Sequence, residues 1–338
     1  MSVAASPAAA AAAATAAGID LDALLAVATA AATDAAALIA SAAAAPPATY
    51  SRKSATDPVT ETDLAAEELL RRRLAAAYPD HAFYGEESAA EGGNHFLPAG
   101  DATAQPKAAV SGGANAPLGA GPTWIVDPLD GTANFVRRSG GYAVSVGWLY
   151  AGWVVAGVVA RVDGPVYAAR AGSGGGATVD GVASRGVSAV STAADATVLT
   201  EMGSDRSAAK TAMMLDGLRV TLEAGVMAVR AFGSAALNVV AVGDGAAEVY
   251  WEWGVWPWDI AGGLVFVREA GGVVGLPDGR PVRGVGGDGG EGDGPRGDLE
   301  LLSARGVMVS NAALAGVLRF PSFVYDEAGT GRQVGEGM

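Results

Sequence analysis

Cysteine is absent from the 338-residue sequence, and histidine occurs only twice, at His81 and His95. The lack of cysteine excludes disulfide bonds and thiolate metal sites, and two histidines argue against a histidine-rich zinc or iron site. A metal site in this chain would therefore use oxygen ligands, which suit Mg²⁺, Mn²⁺ or Ca²⁺.

Positive charge is also scarce, with 22 Lys and Arg against 36 Asp and Glu and a formal net charge of −14. Broad recognition of nucleic acid or of an anionic membrane requires an excess of Lys and Arg, so we expect neither partner. An anionic substrate would need a local source of attraction. Carboxylates that hold a divalent cation provide one, because the cation reverses the sign of the local field.

Long apolar runs are missing as well. No stretch of about 18 residues is free of charges and glycine breaks, so the sequence predicts no transmembrane helix. The Ala-rich residues 1–18 lack the basic start of a secretory signal and the arginines of a transit peptide. We expect this N-terminus to be disordered or a fraying helix. The default location is cytoplasmic, with an organellar one left open.

Helical and strand patterns alternate along the chain, which indicates an α/β fold with a mixed sheet. Helical spacing is found at 19–45, 62–78, 235–242 and 259–270, and strand character at 123–126, 142–150, 153–161, 247–253 and 272–275.

Two segments, 89–122 and 283–298, are rich in Gly, Ala and small polar residues and predict surface loops. Half of the sequence is hydrophobic, enough for a sizeable core. We therefore expect one domain over 19–330, built of two subdomains that carry these loop insertions, and a tail at 331–338.

The segment Trp124-Ile-Val-Asp-Pro-Leu-Asp-Gly-Thr-Ala-Asn-Phe135 places two carboxylates three residues apart after a short strand. The proline favours an extended Asp127 and the glycine permits a sharp turn, so Asp127 and Asp130 can converge on one cation. The amides of Gly131 and Thr132 can then receive a phosphate. The alternative is an ordinary solvated turn, because all these residue types favour turns.

Two further acidic sites lie far from this turn in sequence. Glu86 and Glu87 follow a short apolar stretch, and Asp259 stands at the start of a predicted helix after Trp256-Pro-Trp258. Taken alone, Asp259 can be a helix N-cap, and the glutamates can be ordinary surface charges.

Taken together, these motifs resemble the inositol monophosphatase family over about residues 20–320. The segments that carry the resemblance are Lys53 with Thr60-Glu-Thr-Asp63, Glu86-Glu87, Asp127 to Phe135, Tyr142-Ala-Val-Ser-Val146, Gly233-Ser-Ala235, Trp258-Asp259 and Glu269-Ala-Gly-Gly272. The family implies a layered αβαβα sandwich, of the type shared with fructose-1,6-bisphosphatase, and a homodimer.

The resemblance also implies the site residues. The implied cofactor is Mg²⁺, two to three ions per site, with Mn²⁺ possible, and the implied metal ligands are Glu86, Asp127, the Leu129 carbonyl, Asp130, Thr132 and Asp259. Asp63, Glu86 and Thr132 would orient or deprotonate the attacking water. The implied substrate contacts are Asp130, Gly131, Thr132, Gly233, Ser234, Ala235 and Glu252.

The activity implied by the resemblance is hydrolysis of myo-inositol 1-phosphate to inositol and phosphate by metal-activated water, without a phosphoenzyme and with lithium sensitivity. One alternative is hydrolysis of another small phosphate ester, such as histidinol phosphate, galactose 1-phosphate or a 3′-phosphonucleotide. A second alternative, from a different class, is a catalytically silent binding protein of the same fold.

Overall fold

The computed structural model describes residues 4–45, 50–52, 58–90, 97–98, 118–172, 174, 176–280, 282, 297–325 and 331–333. The helices in these ranges are α1 Pro7–Ala16, α2 Leu21–Ala44, α3 Glu61–Ala77, α4 Glu86–Ala90, α5 Thr132–Arg137, α6 Ala208–Glu223, α7 Ala235–Gly243, α8 Pro257–Glu269 and α9 Asp298–Ala304. A 3-10 turn spans Ala193–Asp195.

The strands in the same ranges form two large sheets and two short hairpins. They are β1 Tyr50–Arg52, β2 Pro58–Thr60, β3 Ala82–Gly85, β4 Leu97–Pro98, β5 Thr123–Asp130, β6 Ala143–Tyr150, β7 Trp153–Arg161, β8 Val166–Arg170, β9 Thr178–Val179, β10 Val182–Ala183, β11 Thr197–Leu199, β12 Ala228–Arg230, β13 Val249–Trp253, β14 Val273–Gly275, β15 Gly306–Ser310, β16 Phe323–Tyr325 and β17 Gly331–Gln333.

The larger sheet has eight strands in the order β10-β9-β8-β7-β6-β5-β3-β4, and the smaller has five in the order β12-β11-β13-β15-β14. Both sheets are mixed. In the larger one β5 runs parallel to β3 and antiparallel to β6. In the smaller one β11 runs parallel to both of its neighbours, whereas β13 and β14 run antiparallel to β15. The predicted mixed sheet is therefore confirmed.

The helices form layers around the two sheets. α2 and α3 pack on one face of the larger sheet, α7 and α8 lie between the sheets, and α6 packs on the outer face of the smaller one, where Gly217 meets Trp251. Helices cover both faces of β6, and every residue of that strand is buried. This order confirms the predicted αβαβα sandwich.

Helix α2 is 24 residues long and, by length and composition alone, is the one helix in the described ranges that qualifies to cross a membrane. Its buried face packs against α3 and against β6, β7 and β8. Its Asp34 also forms an ion pair with Arg73 of α3. These contacts account for its apolar face within the fold, and the expectation of no transmembrane helix stays a prediction.

The N-terminal residues 7–16, which the sequence predicts to be disordered or a fraying helix, form the ten-residue helix α1. Ser6 caps it and Pro7 occupies its first position. Ala10 and Ala14 are fully buried, and Ala4 exchanges hydrogen bonds with the β6–β7 turn and with Trp153. Such a short helix is marginal in isolation, so this tertiary packing stabilises it.

Most of the predicted loop 89–122, all but two residues of 283–298 and the last five residues of the tail lie outside the described residues. Residues 331–333 of the tail form β17 and pair with β16. The division into one domain with two subdomains stays a prediction.

Candidate functional site

The turn that follows β5 brings its two aspartates to one end of the larger sheet. The register between β5 and β6 shifts between Asp127 and Asp130, and the Leu129 amide donates to Asp127 Oδ1 at 2.9 Å. Gly131 has a φ of 92°, which favours glycine, and a Cβ there would lie 3.0 Å from the Gly233 carbonyl oxygen. The turn thus needs a glycine at this position for both conformation and space.

A third carboxylate joins these two from the smaller-sheet side of the molecule. Asp259 lies in the first turn of α8, where its Oδ2 accepts a hydrogen bond of 2.7 Å from the Trp256 amide. The N-cap of α8 is Trp256 and Asp259 is the third residue of the helix, so the interpretation of Asp259 as the N-cap itself is wrong; its side chain instead completes a capping box. Carboxylate oxygens of Asp127, Asp130 and Asp259 nevertheless lie within 4.8 Å of one another. Asp259 thus belongs to the capping box of α8 and to the carboxylate cluster at the same time.

Burial and mutual repulsion raise the pKa values of this cluster. Burial raises the pKa of Asp127 well above its ordinary value, and the nearby charges of Glu86, Asp130 and Asp259 raise it further. Burial raises the pKa of Asp130 to about 7, despite hydrogen bonds that lower it. The pKa of Asp259 is likewise raised well above its usual range, first by burial and then by Asp130 and Glu86. A hard divalent cation fits this site, because it prefers oxygen ligands and would neutralise the repulsion between the carboxylates.

Beside the cluster, Thr132 and Asp63 form a hydrogen-bonded pair. Thr132 Oγ1 lies 3.0 Å from Asp63 Oδ1 and 2.9 Å from the Leu129 carbonyl oxygen. The hydroxyl has one proton, so it donates to one of these two acceptors at a time. Asp63 is buried, and its Oδ2 accepts from the amide and the hydroxyl of Thr60 in a capping box at the start of α3. Helix α3 thus holds the carboxylate that polarises Thr132.

Glu67, which the sequence interpretation missed, supports the glutamates from α3. Its Oε2 accepts from the Glu87 amide at 2.8 Å, and its Oε1 accepts from the amide of Ser88 at 2.9 Å and from the Ser88 hydroxyl. A Cβ at Gly85 would lie 2.4 Å from Oε2, so this approach requires a glycine. Glu67 therefore fixes the start of α4, where Glu86 lines the pocket. The sequence feature that could have identified Glu67 is a carboxylate on the buried face of a predicted helix, α3.

We predict that Glu67→Gln raises the Mg²⁺ concentration needed for half-maximal thermal stabilisation by about 10- to 100-fold, the usual cost of losing a group that orients metal ligands. The new amide NH₂ would face backbone N–H donors, so α4 would shift and move Glu86. The measurement is the melting temperature against Mg²⁺ concentration. Glu68→Gln, at the exposed neighbouring residue that pairs with Arg71, is the control. An unchanged Mg²⁺ requirement in Glu67→Gln would contradict the assignment.

The N-terminus of α7 forms the opposite wall of the site. Ser234 caps α7 and donates through its hydroxyl to Asp130 Oδ2 at 2.5 Å. Glu201, which was not predicted from the sequence, fixes the loop that precedes α7. Its Oε1 accepts hydrogen bonds from the amides of Phe232 at 2.6 Å and Gly233 at 2.7 Å. A third hydrogen bond to the same oxygen comes from Asn238 of α7. No local pattern around Glu201 marks this role.

Glu252 comes from β13 and reaches the same site. Its side chain is buried, and the Tyr250 hydroxyl donates to its Oε2 at 2.6 Å. Burial raises the pKa of Glu252 to about 7, against the lowering effect of the positive charge of Lys210 and of the Tyr250 hydrogen bond.

These walls enclose a cavity of about 370 Å³, a size typical of small-molecule sites. Its lining includes Glu86, Asp127, Leu129, Asp130, Gly131, Thr132, Gly233, Ser234, Ala235, Glu252 and Asp259. The metal ligands and substrate contacts implied by the resemblance are therefore brought together here, and Asp63 lies next to Thr132. Lys53 lies outside the described residues. The individual roles of these side chains stay predictions.

Sequence comparison links the chain to known phosphatases. A model described as the inositol monophosphatase family matches residues 20–318, which include every element that lines the cavity. Human inositol monophosphatase 1 is 35% identical over 224 residues, 66% of this chain and 72% of that protein. Rat inositol monophosphatase 1 is 33% identical over 265 residues, 78% of this chain and 81% of that protein.

Solved structures agree with these sequence matches. The extragenic suppressor protein SuhB of Bartonella henselae superposes with a TM-score of 0.66 at 26% identity, covering 87% of this chain and 95% of that one. Mycobacterium tuberculosis SuhB superposes with a TM-score of 0.58 at 29% identity, covering 86% and 92%.

Proposed function

The chain belongs to the inositol monophosphatase family and is therefore a phosphatase that hydrolyses phosphoric monoesters, and we propose that it acts on myo-inositol 1-phosphate or a closely similar inositol monophosphate with Mg²⁺. The observation that carries the proposal is the cluster of Asp127, Asp130 and Asp259 beside a cavity whose other wall offers acceptors and donors for hydroxyl groups.

The cluster accounts for the metal requirement. The ions would be held by Glu86, Asp127, the Leu129 carbonyl, Asp130, Thr132 and Asp259. When bound, two to three Mg²⁺ ions supply charge neutralisation for the phosphate and lower the pKa of a bound water, and Mn²⁺ accepts the same oxygen ligands.

The Asp63–Thr132 pair accounts for the orientation of the attacking water. When Thr132 donates its proton to Asp63, its oxygen keeps lone pairs that can accept a hydrogen bond from a water in the cavity. Glu86 lines the cavity as a second acceptor for such a water. Direct attack by water needs no covalent intermediate on a side chain, so no phosphoenzyme is expected.

The opposite wall suits a neutral polyol. Glu252 accepts hydrogen bonds from hydroxyls, and the Gly233-Ser-Ala235 segment brings backbone groups to the same space. A hydroxyl left unpaired in such a site costs about 1–3 kcal/mol, which favours a substrate that supplies several. Among the described residues that line the cavity, Arg206 is the only basic one. The carboxylates therefore disfavour an alcohol half that is itself anionic, such as that of a 3′-phosphonucleotide.

The test is phosphate release by the chelator-treated protein after Mg²⁺ is added back. We expect kcat/KM for myo-inositol 1-phosphate to exceed those for histidinol phosphate, galactose 1-phosphate and a 3′-phosphonucleotide by about tenfold or more, and lithium to inhibit. A higher value for another ester would replace the proposed substrate. Release that persists without any divalent metal would refute the mechanism, and no release from any ester would indicate a silent binding protein.

We further propose a homodimer, which rests on the family resemblance alone, and a cytoplasmic location, which is the default expectation. Light scattering of the purified protein measures the oligomeric state, and microscopy of the tagged protein in cells measures the location.

A further inference from the structure

Arg305 contacts the part of the cavity wall that Gly254 and Trp256 form. It is the residue between α9 and β15, and its φ of 53° lies in the left-handed region that favours glycine. A residue with a side chain keeps this conformation only where the surrounding contacts enforce it. For Arg305, those contacts are made with the cavity wall.

Both backbone polar groups of Gly254 are bonded to Arg305. The Gly254 amide donates to the Arg305 carbonyl oxygen at 2.6 Å, and Arg305 Nη2 donates to the Gly254 carbonyl oxygen at 2.9 Å. The guanidinium also lies over the ring of Trp256, with 3.5 Å between Cζ and the ring centroid, and over the ring of Tyr325 at 4.3 Å. A cation between aromatic rings is attracted to both of them. Arg305 thus fixes one wall residue through its backbone and another through its ring.

The same wall segment orients Asp259, a member of the aspartate cluster. The Trp256 amide donates to Asp259 Oδ2 at 2.7 Å, and the Asp259 amide donates to the Trp256 carbonyl oxygen at 3.2 Å. A hydrogen bond to the outer side of a metal-binding group sets the orientation of that group. A shift of Trp256 would therefore move the Asp259 carboxylate relative to Asp127 and Asp130.

We propose, resting on the metal site of the proposed function, that Arg305 is a positioning residue for Asp259. It holds residues 254–256 in place and, through the Trp256 amide, keeps the Asp259 carboxylate within the aspartate cluster. Arg305 thereby tightens the binding of Mg²⁺ without being a ligand of the ion.

The charge of Arg305 acts in the opposite direction. Burial lowers the pKa of Arg305, and the negative charge of Asp259 is among the influences that oppose this shift, so the two charges interact. A guanidinium near the cluster repels Mg²⁺, and an effect of charge alone would make Mg²⁺ binding stronger once Arg305 is removed. The positioning effect predicts weaker binding, so the sign of the change separates the two effects.

The test measures the melting temperature of chelator-treated protein against Mg²⁺ concentration, without any ester present. We expect Arg305→Met to raise the Mg²⁺ concentration needed for half-maximal stabilisation about tenfold, the lower end of the range for groups that orient metal ligands. Arg305→Lys keeps the charge but loses the planar group, so it should recover only part of the loss. Phosphate release by Arg305→Met should recover as Mg²⁺ is raised, because a weakened site still fills at high concentration.

Arg170→Met is the matched control. Arg170 of β8 is also half-buried, and it pairs with Asp22 at the start of α2, away from the residues that line the cavity. Its removal should lower the melting temperature of the metal-free protein and leave the Mg²⁺ requirement unchanged. The same behaviour in Arg305→Met would show that Arg305 only secures the fold, and a lower Mg²⁺ requirement would show an effect of charge. Either result would overturn the inference.

If Arg305→Met does not fold, the same titration of Arg305→Lys decides the inference, and an unchanged Mg²⁺ requirement in that variant would overturn it. Preference for another ester would replace the proposed substrate without altering the Mg²⁺ titration. Conversely, an unchanged requirement in the Arg305 variants would leave the proposed substrate and cofactor in place. Absence of any stabilisation of the wild type by Mg²⁺ would refute the proposed metal site and this inference with it.

Discussion

Asp127→Asn should lower kcat for phosphate release by at least about 10³-fold, the scale expected when a preorganised electrostatic contact to the reacting group is lost. Asp127 is the most deeply buried member of the aspartate cluster and faces the charges of Glu86, Asp130 and Asp259. An asparagine keeps the Oδ1 that accepts the Leu129 amide. The shape of the turn is therefore preserved while the charge that binds a cation is removed.

The same substitution should not destabilise the metal-free protein. Burial raises the pKa of Asp127 well above its ordinary value, which means that the ionised carboxylate is unfavourable where it stands. Replacing it by a neutral amide removes repulsion within the cluster. At pH 8 and without metal, we expect the melting temperature of Asp127→Asn to equal or exceed that of the wild type, while stabilisation by Mg²⁺ is lost.

Kinetics and thermal unfolding of one preparation test both parts of this prediction. Asp195→Asn, at an exposed aspartate that bonds only to Thr192 in the described structure, is the matched control and should behave as the wild type. Activity within tenfold of the wild type would remove Asp127 from the metal site. A loss of activity that comes with a lower melting temperature in the absence of metal would instead point to a folding defect.

The elements that carry the cluster could be predicted from sequence because their signals are local. The apolar runs of β6 and β7 and the helical spacing of α7 and α8 lie within single windows of the chain, and the structure places these elements within one or two residues of the predicted bounds. The Asp-Pro-Leu-Asp-Gly turn is local in the same sense. Its proline and glycine define the backbone whatever surrounds them.

The residues that support the site could not be predicted, because their partners are far away in sequence. Glu67 bonds residues 20 and 21 positions away, and Glu201 bonds residues more than 30 positions away. Helical spacing places Glu67 on the buried face of α3, but nothing near either residue in sequence identifies its hydrogen-bond partners. The adjacent residues Glu86 and Glu87 could be identified from sequence, but their separate roles could not. In the fold, Glu86 lines the cavity and the amide of Glu87 donates a hydrogen bond to Glu67.

Two other features depend on packing rather than on local sequence. Helix α1 has little more than alanine to specify it, and its order comes from contacts with β6 and β7. The three-residue strands β11 and β12 are too short to give a periodic signal, and their parallel pairing joins segments separated by the whole of α6.

The metal-free protein should lose stability as the pH rises from 5 to 8, and Mg²⁺ should restore it. An aspartate in the unfolded chain titrates near pH 3.9, whereas burial raises the pKa of Asp130 to about 7 in the folded state. The folded state thus binds this proton more tightly. The resulting stabilisation is fully present below about pH 4, declines as the pH rises, and is lost above about pH 7. The raised pKa values of Asp127 and Asp259 act in the same direction.

Because Asp130 is partly exposed, solvent screening reduces its share of this change to on the order of 2 kcal/mol. Mg²⁺ binds the ionised carboxylates and competes with protons at low pH, so the rise in melting temperature that it causes should be larger at pH 8 than at pH 5. Melting curves of chelator-treated protein across this pH range, with and without Mg²⁺, measure both trends. Asp130→Asn should make the melting temperature and the effect of Mg²⁺ less dependent on pH. Equal stabilisation by Mg²⁺ at both pH values would show that the cluster does not bind the cation, because a site built from these carboxylates must exchange protons for metal.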